Sequence, residues 1–385
     1  MREGWDLVKL GSLCDIQNGF AFDSKLFNND GKGLPLIRIR DIKRGYSETF
    51  TTEECDNAYV VKDGDYLIGM DGEFNIGQWK SENALLNQRV CKLLPSSKIL
   101  PRFIYYYIPK ALKDIEDKTA YATVKHLSSK QIKEIHIPNI SLPEQQRIVD
   151  ILDREFAKID ALKANAEKSL QAAKDLFRHI SNGYYNEPSP VSKLGDECIF
   201  VRGPFGGSLK KSCFVPSGYP VYEQQHAIYS TFTFRYFVNE EKYNEMKRFT
   251  THPGDLIMSC SGTIGKVAII PEDAPIGIIN QALLKLTPKK RILPEYLKWY
   301  MQSISFEKDI QRHSKGAAIQ NVASVAILKE IAIPVPTIEK QKQIVARLDD
   351  LNERCNALQE NYQKALTLCD DLKQSLLRKA FNGEL

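Results

Sequence analysis

Features that identify metalloproteins, secreted proteins and membrane proteins are missing from this 385-residue sequence. The eight cysteines form no Cys-x-x-Cys pair and have no histidines at zinc-site spacing, so we expect buried, reduced thiols and no metal site. The first residues, MREGWDLVKLG, lack the apolar core of a signal peptide, and no apolar run approaches about 18 residues. These absences predict a cytoplasmic protein.

A strong excess of charge is missing as well. Lysine and arginine number 53 against 48 acidic residues, and the net charge of +5 permits a polyanionic partner without requiring one. Hydrophobic residues make up 43% of the chain and charged residues 26%, which is the composition of a folded protein and not of a disordered one. At this length we expect two or three domains.

What the sequence does contain is an internal repeat along its whole length. Residues 142–153, LPEQQRIVDILD, return at 338–349 as IEKQKQIVARLD. Shorter pairs occur in the same order before them: VKLG and SKLG, KDGDYLIG and HPGDLIMS, LLNQ and IINQ, ILPRFIYYYI and ILPEYLKWYM, KEIHIP and KEIAIP. The offset rises from 184 residues for the first pair to 196 for the last, as small loop insertions would produce. We infer a tandem duplication.

Each copy has two parts of different character. The first part consists of short β-branched or aromatic runs broken by glycine, proline, asparagine and aspartate, which predicts strands and turns with some helix. The second part has the periodicity of a long helix. The predicted boundaries are a mixed domain at 1–142, a long helix at 143–187, a second mixed domain at 188–337 and a second long helix at 338–385.

Apolar residues in the second long helix recur in alternating steps of four and three, the heptad pattern of a coiled coil. In the first helix Glu155 and Ser169 interrupt the equivalent positions. Each helix is predicted to span about 35 to 40 residues, or roughly 50 to 60 Å, and to end near Gly183 or Gly383. The second is predicted to be four residues longer. The predicted coiled-coil residues are Ile148, Leu152, Ile159, Leu162 and Leu176 in the first helix and Ile344, Leu348, Leu351, Leu358 and Leu372 in the second.

A helix with one apolar stripe must bury it, and each stripe has a matching one in the other copy. Two like domains at the ends of one helix pair, related by a two-fold axis, require the helices to run antiparallel. The predicted fold class is therefore α+β, with two similar mixed α/β domains in pseudo-two-fold symmetry, joined by two long helices that form an antiparallel coiled coil. Dimerisation of two chains through one helix is the alternative.

This architecture fits duplex DNA, which has local two-fold axes perpendicular to its length. Two similar but unequal readers on a fixed spacer would recognise two unequal half-sites separated by a fixed gap. A duplicated scaffold that binds proteins is the alternative.

Several motifs resemble the specificity subunit of type I restriction-modification enzymes, over essentially the whole chain. In the first copy they are NGFAF, GLPLIRIRDIKRG, GEFNIGQWK, LLNQRVCKL and TVKHLSSKQIKEIHIP, and in the second PFGGSLKKS, GYPVYEQQHAIY, GDLIMSCSGTIGKVAII and IINQALLKL. The resemblance implies a non-catalytic subunit that binds double-stranded DNA through two target-recognition domains and binds no cofactor itself. It also implies two modification subunits, which bind S-adenosylmethionine and methylate adenine N6, and in the full enzyme two motor-nuclease subunits. A related methylation-only or phage-defence system is a further alternative.

The residues agree that catalysis lies elsewhere. An adenine methyltransferase of that kind needs an Asn/Asp-Pro-Pro-aromatic motif, and the sequence contains no Pro-Pro pair. The segment SGTIGKV fails the phosphate-loop pattern, since Lys266 is followed by Val267 and the glycines are three residues apart. Neighbouring carboxylates such as Asp63 and Asp65 are typical of turns.

Candidate DNA contacts follow from side-chain chemistry and position. Alternation on a predicted strand places Arg38 and Arg40 on one face, and arginine can bind guanine with two hydrogen bonds, whereas lysine more often contacts phosphate. The same place in the second copy holds glutamines, which suit adenine. The full candidate set is Arg38, Arg40, Lys43, Arg44, Lys125, His126, Lys210, Lys211, Gln224, Gln225, His226 and Asn321. A solvated sheet face and ordinary surface lysines are the alternative.

Overall fold

A computed structural model describes residues 5–118, 126–261, 263, 265–313 and 325–385, with the backbone alone for 311–313. The chain forms two compact units. Unit 1 consists of residues 1–165 and 365–385, and unit 2 of residues 166–364. Each unit therefore contains one mixed globular part and a segment of both long helices, whereas the boundaries predicted from the sequence fall at the helix ends.

The described residues of unit 1 contain eleven strands. They are β1 (Leu7–Lys9), β2 (Cys14–Asn18), β3 (Phe27–Asn28), β4 (Leu34–Ile37), β5 (Phe50–Thr51), β6 (Val60–Val61), β7 (Tyr66–Gly69), β8 (Ile76–Gln78), β9 (Ala84–Leu86), β10 (Val90–Pro95) and β11 (His136–Pro138). The helices are α1 (Pro101–Lys118), α2 (Ser129–Lys133) and the long α3 (Leu142–Tyr185), which continues into unit 2. The sheets run β2-β10-β7-β8, β3-β5-β4-β9-β6 and β1-β11.

Unit 2 repeats this plan. Its strands are β12 (Val191–Lys193), β13 (Cys198–Arg202), β14 (Phe214–Val215), β15 (Tyr219–Tyr222), β16 (Phe237–Val238), β17 (Leu256–Ser259), β18 (Val267–Ile269), β19 (Ile278–Ile279), β20 (Leu283–Pro288) and β21 (Ala332–Pro334). Its helices are α4 (Leu194–Glu197), α5 (Gln224–Tyr229), α6 (Glu240–Glu245), α7 (Pro294–Met301), α8 (Ile304–His313), α9 (Val325–Glu330) and the long α10 (Ile338–Asn382), which ends in unit 1.

Matching sheets confirm the duplication. The antiparallel order β13-β20-β17-β18 repeats β2-β10-β7-β8, and the pair β12-β21 repeats β1-β11. In both units one parallel pair, β4 with β9 or β15 with β19, lies in a second sheet. The fold class predicted from the sequence, mixed domains joined by two long helices, is therefore confirmed.

The repeated start of the long helices is explained by one buried glutamine in each copy. Gln145 of α3 accepts a hydrogen bond from the Leu100 backbone N–H at 2.8 Å and donates to the Lys98 and Ile140 carbonyls. Gln341 of α10 makes the same three bonds, to Leu293 N–H and to the Arg291 and Pro336 carbonyls. Both side chains are fully buried. The glutamine thus fixes each helix start to the segment before α1 or α7.

The aspartate that ends the repeated segment has a matching role with different donors. Asp153 accepts a hydrogen bond from Arg102 Nε at 2.9 Å, and Asp349 accepts one from Trp299 Nε1 at 2.9 Å. The two copies therefore keep the acceptor on the long helix and vary the donor on the short helix that packs against it.

The long helices run antiparallel within unit 1. Lys163 Nζ lies 2.7 Å from Asp370 Oδ1, Lys373 pairs with Asp160, and Arg147 Nη2 donates to the Leu385 carbonyl at 3.0 Å. Residues of increasing number on α3 therefore contact residues of decreasing number on α10, which is the predicted antiparallel direction. In unit 2 the first turn of α10 lies beside the end of α3, where Lys340 pairs with Glu187 at 3.1 Å.

The predicted lengths of the helices were too short, and the predicted four-residue difference is wrong. Helix α3 has 44 residues and α10 has 45. Gly183 lies inside α3, which continues to the buried Tyr185, packed on Tyr296 and Tyr300. Helix α10 ends before Gly383, whose φ of +76° is left-handed.

The ten predicted coiled-coil residues fall into three groups by burial. Five of them are buried: Ile148, Leu152, Ile159, Ile344 and Leu348. Leu351 is half-buried. Leu162, Leu176, Leu358 and Leu372 are 41–59% exposed, so their predicted burial is wrong. The physical reason is that in these stretches the buried positions recur at intervals of seven or fourteen residues and hold smaller side chains: Ala166, Ala173, Cys355 and Cys369.

Candidate nucleic-acid interface

The segment after β4 in unit 1 is a turn and not a continued strand. Strand β4 ends at Ile37, and residues 39–41 form a 3-10 turn. The Arg38 N–H donates to Asp41 Oδ2 at 2.9 Å, and the Asp41 side chain is buried. The prediction that Arg38 and Arg40 share one strand face is therefore wrong, because Asp41 caps the turn and ends the strand first.

The two arginines nevertheless line the same cleft, of about 480 Å³. Its lining consists of Phe22, Ser24, Phe27, Arg38, Ile39, Arg40, Asn87, Gln88 and Arg89, and we call it the arginine cleft. Arg40 also borders a second hollow that is lined by Asn29, Arg44 and Glu48. Unit 1 thus carries arginines beside apolar side chains in one cleft and a further arginine in the adjoining hollow, an arrangement that suits a polyanion with aromatic bases.

The basic residues of this surface differ in their partners. Lys43 Nζ lies 2.7 Å from Glu73, and Arg44 lies 3.6 Å from Glu48. Arg40 donates to Thr49 Oγ1 at 3.0 Å. In the described part of the chain the Arg38 guanidinium has no hydrogen-bond or ion-pair partner. Exposed ion pairs contribute at most about 1 kcal/mol, so a phosphate can displace those carboxylates, whereas Arg38 requires no displacement.

A three-residue cluster lies at the edge of the arginine cleft. Asp71 Oδ1 lies 2.6 Å from His126 Nδ1, and Asp71 Oδ2 lies 3.2 Å from Arg89 Nη1. Sequence analysis selected His126 but neither Asp71 nor Arg89. Nothing local indicated the cluster, since 55 residues separate Asp71 from His126. Lys125, also predicted, lies outside the described residues.

In unit 2 the equivalent segment is a short helix, α5. His226 is fully buried: its Nδ1 accepts the Glu223 N–H at 2.7 Å, and its Nε2 lies 3.0 Å from the Thr233 carbonyl oxygen. The prediction of a DNA contact by His226 is therefore wrong, because the imidazole caps α5 as Asp41 caps the turn in unit 1. Gln224 and Gln225 are half-buried, and Gln224 donates to the Ser261 carbonyl.

An arginine that sequence analysis missed lies at this place in unit 2. Arg235 donates two hydrogen bonds to Glu223, at 2.8 and 2.9 Å, and its guanidinium lies 4.9 Å from the Tyr236 ring centre. The hydrogen bonds to Glu223 raise the pKa of Arg235. The side chain is 62% exposed, although the Glu223 side chain that holds it is almost buried. A lone arginine in the aromatic run TFTFRYFV was the available signal.

The two units place opposite charges at equivalent positions. The bond from Val221 N–H to the Tyr236 carbonyl in unit 2 matches the bond from Leu36 N–H to the Thr49 carbonyl in unit 1. By this register Glu223 corresponds to Arg38, and Arg235 corresponds to Glu48. The framework is shared, but the polar groups that it presents differ.

The remaining predicted residues lie on a loop of unit 2 or outside the described residues. Lys210 and Lys211 are exposed, and Lys211 is the first residue of a 3-10 turn at Lys211–Cys213. On the same loop the Phe205 side chain is 93% exposed. Asn321 lies outside the described residues.

The described residues provide little that could hold a metal. They contain no group of three or more His, Cys, Asp or Glu side chains arranged for a metal ion. All eight cysteines are free, and burial raises the pKa of the Cys91 and Cys198 thiols to about 12, which disfavours the thiolate that binds metals. Among the described helices, none has the length and hydropathy of a transmembrane span.

Solved structures with the same fold include a chain from a study of the complex assembly and conformational transition of the type I R-M system. Its TM-score is 0.79 at 19% identity, over 100% of this chain and 99% of that one. The HsdS subunit from Thermoanaerobacter tengcongensis gives a TM-score of 0.54 at 17% identity, over 100% of this chain and 98% of that one.

Sequence relatives cover the full chain. It is 30% identical to the type I restriction enzyme EcoBI specificity subunit of Escherichia coli, over 100% of this chain and 87% of that protein. It is 24% identical to the EcoKI specificity subunit of Escherichia coli strain K12, over 100% and 90%. The family model described as the type I restriction modification DNA specificity domain matches twice, at residues 2–172 and 191–368. The chain therefore belongs to the family of type I restriction-modification DNA specificity subunits.

Proposed function

We propose that this chain directs adenine-N6 methylation to an asymmetric DNA target of two unequal half-sites. The observation that carries the proposal is the shared framework with different polar groups. Unit 1 presents the arginine cleft, whereas unit 2 presents Arg235 held by Glu223. One framework with two chemistries is what recognition of two different half-sites requires.

The gap between the half-sites is the second part of the proposal. A pair of antiparallel helices of 44 and 45 residues would hold it fixed. The family resemblance, together with half-sites that face the protein about one helical turn apart, implies a gap of about 5 to 8 base pairs.

The chemistry belongs to partner subunits in this proposal. The sequence lacks the Pro-Pro motif of an adenine methyltransferase, so the chain would recruit two modification subunits that bind S-adenosylmethionine. Two motor-nuclease subunits would complete a restricting enzyme. Because the target is the DNA of the cell, the proposed location is the cytoplasm.

The test is a map of methylated adenines in host DNA with and without this gene. The expected result is loss of one bipartite motif when the gene is removed. An unchanged methylation map would contradict the proposal. A second test separates the proposal from a protein-binding scaffold. If the chain binds DNA, the affinity of the complex for bipartite duplexes should fall steeply with salt, because phosphate contacts release counterions. A scaffold would show no such binding.

A further inference from the structure

We propose that Arg89 reads a base in the half-site of unit 1, and that Asp71 and His126 position its guanidinium. The inference rests on the proposed function, since it assumes that unit 1 contacts one half-site. It concerns residues that neither the motifs nor the periodicity of the sequence singled out together.

The backbone places the three residues side by side. Arg89 directly precedes β10, and its carbonyl accepts the Met70 N–H at 3.0 Å. Asp71 forms a β-bridge with His126, next to the bond from Leu127 N–H to the Met70 carbonyl at 2.7 Å. Three separate segments therefore converge on one carboxylate, with its two oxygens bound by different side chains.

The exposure of the three side chains distinguishes the positioning residue from those that can reach DNA. The Asp71 side chain is 21% exposed, whereas Arg89 is 52% and His126 is 48% exposed. The carboxylate thus lies beneath two solvent-facing groups. A guanidinium has five N–H donors, so the ion pair to Asp71 leaves an edge of Arg89 free to donate outward. Arg89 also lines the arginine cleft with Arg38 and Arg40.

A carboxylate at this place favours base contact over phosphate contact. Asp71 reduces the local positive charge and would weaken attraction to a phosphate group. It also restricts the Arg89 rotamers, which favours the two parallel hydrogen bonds that arginine makes to guanine O6 and N7. We therefore assign guanine as the base class.

The cluster is confined to unit 1. The Cys260 N–H donates to the Ala282 carbonyl at 2.8 Å, which repeats the bond between Met70 and Arg89. By this register the unit 2 counterparts of Asp71 and Arg89 are Ser261 and Ala282, which cannot form an ion pair. A reader present in one unit alone is what unequal half-sites need.

The experiment compares methylation motifs produced by the complete complex containing the wild-type chain, R89A, R89K or R235A. R89A should make one guanine position of one half-site degenerate, with a roughly 10- to 100-fold loss of discrimination, and leave the other half-site and the gap intact. R89K should also lose discrimination, because lysine cannot donate two parallel hydrogen bonds. R235A is the matched control and should affect only the other half-site.

The positioning role of Asp71 has its own readout. In binding assays with the complex, D71N should lower the ratio of specific to non-specific affinity while non-specific affinity stays equal or rises, because a negative charge is removed. R89A should instead lower both affinities. H126A should lower the specificity ratio by less than R89A.

The outcomes distinguish this inference from the proposed function. A wild-type complex without a bipartite motif would remove the proposed function and the inference with it. A wild-type motif that R89A and R89K both leave unchanged would overturn the inference alone. An equal effect of R89A on both half-sites, with the thermal melting of the complex unchanged, would also overturn it. R89K retains charge and length and serves if R89A fails to fold.

Discussion

At the scale of single residues, two pairs of side chains common to both copies have structural roles. Gln145 and Gln341 each bind three backbone groups from inside the core, and Asp153 and Asp349 accept from the neighbouring helix. Exposed charged residues differ between the copies: Glu48 corresponds to Arg235, and Arg89 corresponds to Ala282. A strong internal repeat in such a chain therefore marks the framework, and the divergent positions between its matching segments are where recognition is proposed.

The buried glutamine can be tested directly. Q145L should destabilise unit 1 by about 1 to 3 kcal/mol, because it leaves the Leu100 N–H and two carbonyls unpaired in the core. Q146L, which changes an exposed neighbour, is the matched control and should lie within about 0.5 kcal/mol of the wild type. Urea unfolding of the full chain measures both. Equal midpoints for the two variants would show that the glutamine does not fix the helix start.

At the scale of elements, the C-terminal end of α10 is part of the core of unit 1. The Phe381 ring centre lies 5.5 Å from that of Phe103 and 4.9 Å from that of Tyr107, both on α1, and the neighbouring Ala380 is fully buried. The end of α3 has the same relation to unit 2, where Phe177 lies 5.4 Å from Trp299. Each long helix is therefore a packing element at both of its ends.

Substitution on α10 should thus destabilise a domain that lies far from it in sequence. F381A should lower the stability of unit 1 by about 1 to 3 kcal/mol, less than for a fully buried phenylalanine because Phe381 is half-buried. L368A removes a leucine that is 65% exposed on the same helix and should have little effect. Hydrogen exchange of the β2-β10-β7-β8 sheet measures the difference. Equal protection in the two variants would contradict the packing role.

The elements also show what could be predicted from the sequence. The helices, their direction and the duplication follow from periodicity and repetition, which are properties of the chain itself. The exposure of Leu162 and Leu358 does not, because the sequence pattern treats all positions of an apolar stripe alike, and only the packing decides which of them are buried. Likewise the end of β4 depends on a bond to Asp41, and the contact of Asp71 with Arg89 depends on the fold.

At the scale of the whole molecule, the helix pair that is proposed to set the gap between the half-sites can be lengthened. Seven residues inserted in both helices, after Asn165 and after Lys364, keep the heptad phase and add roughly 10 Å, or about three base pairs of DNA. The expected result is a longer gap with both half-sites unchanged, measured by mapping methylated adenines. The control inserts seven residues in α3 alone, which breaks the match between the helices and should abolish methylation. Altered half-sites with an unaltered gap would contradict the proposal that the helix pair sets the gap.

Because unit 1 is built from two separate segments of the chain, it also limits the order in which the chain can fold during synthesis. Unit 1 joins residues 1–165 to residues 365–385, whereas unit 2 is continuous from 166 to 364. At about 5 to 20 residues per second, a ribosome takes roughly 10 to 40 s to make the intervening 200 or so residues. Throughout that time the N-terminal globule lacks Ala380 and Phe381 from its core. The unit translated first is therefore the last to be completed, and a nascent chain that stops anywhere before α10 is finished leaves it without those residues.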